Sequence, residues 1–120
     1  MKTYPKEIRE RTFCFALDTL RMCKEISVKD KEYILTKQLS RSATSVGANV
    51  REAKNAVSKN DFIYRLAIAQ KECDESVYWL ELLEGLLERD CDKLRFSKGE
   101  ANEILLVLSA IILKTKKNMN

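Results

Sequence analysis

At 120 residues, with 45% hydrophobic and 33% charged side chains, the chain is long enough to bury one core and too short for two. Three glycines and one proline exclude a turn-rich sheet protein, and the absence of histidine excludes Ser-His or Cys-His catalysis within one chain. A net charge of +4 with acids dispersed throughout excludes a basic tail that holds nucleic acid by charge alone.

The first helix is expected from about Pro5 to Lys24, with Ile8, Thr12, Phe15, Ala16, Leu20 and Cys23 on one face. Ser27 to Lys31 reads as a connection in which Asp30 caps the next helix. That second helix runs from about Lys31 to Asn55, and Gly47 inside it reads either as a close approach of another backbone or as simple tolerance. Ser58, followed three residues later by Asp61, reads as the cap of a third helix from about Lys59 to Asp90. Its inward seam is Phe62, Leu66, Ala69, Cys73, Ser76, Leu80, Leu83 and Leu87. Arg89 to Ser97 breaks the periodicity and is read as a loop, Ser97 capping a last helix from about Lys98 to Lys117. There Ala101, Ile104, Leu105, Leu108, Ile111 and Ile112 face inward, and Lys114, Lys116 and Lys117 complement the carbonyl end of the helix.

Four helices with short connections predict an all-α, antiparallel up-down-up-down four-helix bundle spanning residues 1 to 120 as a single domain. The N-terminal ten residues lack the apolar run of a signal peptide. The longest apolar run, Ile104 to Leu113, falls short of the roughly 20 residues of a membrane span. A cytoplasmic protein without membrane contact is expected. Cys14, Cys23, Cys73 and Cys91 are too scattered for a ligand motif and read as small apolar residues, so neither metal nor cofactor is expected.

The second helix carries the most informative pattern. Leu39, Ala43, Val46, Val50 and Ala53 form its apolar face, and a second stripe of Gln38, Ser42, Ser45, Asn49 and Glu52 runs beside it at the same spacing. Serine and asparagine compete with helical hydrogen bonding, so in a helix interior they imply a polar surface opposite. Glu72 and Glu75, three apart on the third helix, supply such a surface if Arg41 or Arg51 neutralises them. Tyr78 and Trp79 are adjacent, so only one ring can join the inward seam, leaving the other for a neighbouring subunit. Lys37, Arg51, Lys54 and Lys59 are candidate phosphate contacts, although no aromatic residue interleaves with them. A carboxylate metal site at Glu52, Glu72 and Glu75 is a remote alternative.

The series Gln38, Arg41, Ser42, Ser45, Gly47, Asn49 and Glu52, followed by Lys71, Glu72, Glu75, Tyr78, Trp79 and Leu80, resembles the bacterial four helix bundle family, also called 23S ribosomal RNA intervening-sequence proteins. It departs from the branch of that family with Gly-Ser at positions 71 and 72. The resemblance implies a homopentameric ring without established enzymatic activity, some members being encoded within insertions in 23S ribosomal RNA genes. A more distant similarity reaches the accessory variability determinant of diversity-generating retroelements, a basic pentamer that binds nucleic acid and a reverse transcriptase. The expected function is therefore a non-enzymatic oligomer whose partners are itself and RNA or DNA. The alternative is a protein adaptor for a polymerase or reverse transcriptase.

Overall fold

The computed structural model describes residues 7–119, and these form four antiparallel helices within 52 × 30 × 20 Å. They are α1 (Ile8–Lys29), α2 (Ile34–Lys54), α3 (Lys59–Leu86) and α4 (Asp92–Lys117). Each packs against its neighbour in sequence, and α4 closes on α1 with the slightest contact of the four. Phe15, Met22 and Ile26 from α1, Leu39 and Val46 from α2, Leu66, Leu80 and Leu83 from α3, and Leu94, Ile104 and Leu108 from α4 fill the core. Full burial of a side chain of this size contributes about 1.5–3 kcal/mol.

The bundle matches the expected fold class, but several of the helix ends differ. The start at Pro5 lies outside the described residues; within them Glu7 caps α1 by accepting from the amides of Arg9 and Glu10, both at 3.1 Å. Those amides hold the Glu7 carboxyl below its ordinary range. Helix α1 does not stop at Lys24 but continues to Lys29, because Ser27 donates its hydroxyl to the carbonyl of Lys24 and stays helical. Asp30 does not cap α2. Its amide closes α1 on Ile26, and Glu32 instead accepts from the amides of Ile34, Leu35 and Thr36. Between them Lys31 takes the left-handed conformation, φ 53°, which turns the chain.

Helix α3 ends at Leu86 rather than Asp90, and α4 starts at Asp92 rather than Lys98. Ser97, expected as the cap, lies buried inside α4. At α3 the expected cap holds: Ser58 accepts from the amide of Asp61 at 3.0 Å, and the Asp61 carboxylate reaches back to the amide of Val57 at 3.2 Å. Leu20, expected in the core, is largely exposed.

Gly47 does sit against another backbone. A Cβ built there would lie 3.5 Å from the carbonyl oxygen of Thr12, an ordinary contact with room for one methyl group. Replacing Gly47 with alanine is therefore expected to raise stability by up to about 1 kcal/mol through helix propensity, and replacing it with leucine to lower it. Urea denaturation of the two variants measures both.

The α1–α2 and α3–α4 turns meet at the same end of the bundle. There Arg89 donates from Nε and Nη2 to the two oxygens of Asp30, at 3.1 and 2.7 Å. This pairing holds the Asp30 carboxyl below its ordinary 3.8. A carboxyl with a depressed folded-state pKa adds stability that is complete above the unfolded value and is lost as pH falls through the folded one. Asp30→Asn is thus expected to destabilise the protein at neutral pH, with the difference fading as the pH drops below 3.8. Thermal melts across an acid pH series read that convergence.

Candidate functional site

The polar stripe of α2 divides according to what faces it. Ser42, at its centre, is fully buried, and its hydroxyl lies 2.8 Å from that of Ser76 on α3. Each hydroxyl is also within reach of a carbonyl of its own helix, Ser42 with Leu39 at 3.2 Å and Ser76 with Glu72 at 3.0 Å. Two small polar side chains thus satisfy one another where α2 and α3 approach, which larger residues would push apart.

Immediately outward, Arg41 donates from Nη1 to Glu72 at 3.3 Å and from Nη2 to Glu75. Glu72 is only 9% exposed, so the guanidinium offsets the cost of taking its charge out of water. Glu75 also accepts from the indole N–H of Trp79 at 3.3 Å. Trp79 leans on the core, whereas Tyr78 projects outward and meets it edge-on at 5.1 Å between ring centroids. The chain Trp79, Glu75, Arg41, Glu72, Ser76, Ser42 forms one continuous polar seam between α2 and α3. Of the two arginines that could have neutralised these acids, Arg41 does so, and Arg51 faces α1.

The other members of the stripe stand apart. Ser45 and Asn49 are half-buried and bond within α2, the Asn49 amide donating to the Ser45 carbonyl at 2.9 Å. Gln38 and Glu52 are exposed at either end. Glu52 does not join Glu72 and Glu75, and no group of three or more His, Cys, Asp or Glu poised to hold a metal occurs among the described residues. The four candidate phosphate contacts are also dispersed. Lys37 and Arg51 lie on the α1 side of α2, Lys54 lies at its end near Glu7, and Lys59 donates to the carbonyl of Asn118 at 2.8 Å.

A second buried ion pair escaped the sequence reading. Arg11 of α1 grips Glu100 of α4 through two hydrogen bonds, both 2.8 Å, and Glu100 is only 7% exposed. A carboxylate among Ser97, Ala101 and Ile104 on the apolar face of α4 was the available signal. Cys73 lies in the core with its thiol toward the carbonyl of Ala101 at 3.3 Å, and burial pushes its pKa up to about 12. Burial likewise raises that of Cys23.

The sequence profile of the 23S rRNA-intervening sequence protein family matches residues 6–110. A crystal structure of a protein with unknown function from the S23 ribosomal protein family of Bacteroides thetaiotaomicron is 37% identical and superposes with a TM-score of 0.84, covering 88% of this chain and 98% of that one. Comparison with curated proteins gives no match.

Because the serine left by a single substitution can still donate to a carbonyl of its own helix, Ser42→Ala or Ser76→Ala alone is expected to cost about 0.5–1.5 kcal/mol, and the double substitution less than the sum of the two. Chemical denaturation of the four proteins in the cycle gives this coupling. Additive losses would show that the two hydroxyls do not interact.

Proposed function

The chain belongs to the 23S rRNA-intervening sequence protein family, and on that footing we propose that it is a non-catalytic assembly module. Copies join into a ring, a pentamer by the family resemblance, each setting the outer face of α2 and α3 against a different surface of its neighbour, and the assembled surface engages nucleic acid. The observation that carries the reading is an exposed apolar line beside the polar seam. Tyr78, Leu82 and Leu86 recur every four residues along α3 and remain open to solvent. The register set by Ser42 and Ser76 brings the first turn of α2, with its exposed Ile34, level with Leu82 and Leu86. A contiguous apolar patch flanked by polar groups is the usual mark of a protein interface.

The seam beneath supports this role. Arg41 offsets one of the two charges of Glu72 and Glu75, which lowers the net charge at the centre of the face, and by bridging to both it holds α2 and α3 as one rigid platform. With no histidine in the chain, and with these carboxylates engaged by an arginine, the side chains of the seam are suited to fixing geometry rather than to proton transfer.

Light scattering or sedimentation at micromolar concentration is expected to find an oligomer. The double substitution Leu82→Asp, Leu86→Asp is expected to yield helical monomers, since both side chains are solvent-facing in a single subunit. A wild-type protein that stays monomeric would remove the assembly reading, and an assembly indifferent to the double substitution would place the interface elsewhere.

A further inference from the structure

The outer face of α1 and α2, on the other flank of α2 from the apolar line, carries two grooves of similar chemistry. The first, of about 470 Å³, is lined by Arg9, Glu10, Phe13 and Cys14 of α1 and by Arg51 of α2. The second, of about 250 Å³, includes Leu20, Lys24 and Ser27 of α1 with Lys37 and Ser40 of α2 and Tyr33 just before it. Each is therefore lined by one exposed aromatic ring, Phe13 or Tyr33, together with two cations contributed by different helices. Phe13 and Leu20 are seven residues apart and Lys37 and Arg51 fourteen, so both grooves lie on one face, separated by about 21 Å along α2. The aromatic interleaving missing from α2 as a sequence is supplied across the helix pair.

The charge on this face is unspent. Among the described residues Lys24, Lys37 and Arg51 make no ion pair, and Arg9 has only a 3.9 Å contact with Glu7. Elsewhere Arg11, Arg41, Arg89, Lys93, Arg95 and Lys98 each face a carboxylate. Glu10 is the one carboxylate lining the first groove, and none lines the second.

We propose that the α1–α2 face binds single-stranded RNA, with bases stacking on Phe13 and Tyr33 and phosphates meeting Arg9, Arg51, Lys24 and Lys37. Exposed rings together with cations give a sequence-tolerant strand site, because every base offers a stacking face and every linkage a phosphate. The preference for ribose follows from the hydroxyls of the second groove. Ser27 donates to the carbonyl of Lys24 at 2.9 Å and Ser40 to that of Thr36 at 2.7 Å. Their protons are committed, and although the Cys23 thiol also reaches Ser40, each oxygen keeps a lone pair to accept with, so a 2′-hydroxyl can donate to them and a deoxyribose cannot. This inference rests on the nucleic-acid part of the function proposed above and leaves the assembly face to α2 and α3.

Fluorescence anisotropy with a labelled single-stranded RNA of about 12 nucleotides, and with DNA of the same sequence, tests it on the full chain. Phe13→Ala and Tyr33→Ala are each expected to weaken RNA binding roughly tenfold. The pair Lys37→Glu, Arg51→Glu is expected to weaken it further and to flatten the slope of log affinity against log salt by about 0.7 for each phosphate no longer neutralised. Lys116→Glu, on the exposed side of α4, is expected to bind as wild type, and all variants to keep their helicity and oligomeric state. RNA binding that survives the α1–α2 substitutions would overturn the site and leave the nucleic-acid reading standing. No RNA binding by the wild type at low salt would overturn both. Equal affinity for DNA would overturn the role given to the serines, and equally effective competition by poly-glutamate would overturn the assignment to RNA in favour of an acidic polypeptide.

Discussion

A carboxylate taken out of water must find a cation or several donors, and this bundle buries two of them on adjacent helices. Glu72 of α3 is met by Arg41 of α2, and Glu100 of α4 by Arg11 of α1. The two pairs close opposite sides of the bundle. Apolar side chains favour burial in any register, whereas a guanidinium reaches its carboxylate only when the helices stand at one height. The Ser42–Ser76 contact adds the same restriction at the α2–α3 approach, in the middle of the most extensive helix pair. Leucines and isoleucines supply the driving force, and these few polar contacts select among the packings it would allow.

What could be read from the chain beforehand follows the reach of each interaction. The apolar faces of α2 and α3, and the Ser58 cap, are set within a turn or two of sequence and were legible. Errors arose where a residue suited to capping found another partner. Ser27 and Ser97 both stay inside helices, one bonding its own backbone and the other facing the core. Asp30 has the right chemistry for an N-cap, but Arg89, 59 residues away, holds its carboxylate instead. The seam was half legible for the same reason. Serines in a helix interior announced a polar surface opposite, but only the folded chain decides between Arg41 and Arg51. Arg11 with Glu100, and Phe13 beside Arg51, join residues too far apart in sequence for spacing to reveal.

Helix α2 is the hinge of the functional reading because it takes part in three surfaces at once. One flank meets α3 through the seam, its first turn joins the exposed apolar line, and its other flank shares two basic grooves with α1. At the level of Thr12, α1 lies close enough to α2 that position 47 has room for no more than a methyl group, and the residues of both helices share a common outer face. Self-association and strand binding on opposite flanks of one helix need not compete. A ring built through one would display repeated copies of the other, and neighbouring sites on one strand raise each other's effective concentration.

The thiol of Cys73 offers a view of this architecture in time. Sealed in the core, with its proton retained until about pH 12, it presents almost no thiolate to a reagent while the helices are packed. It becomes reactive when α3 and α4 part, so the rate at which an excess of alkylating agent consumes it counts openings of the bundle rather than encounters with its surface.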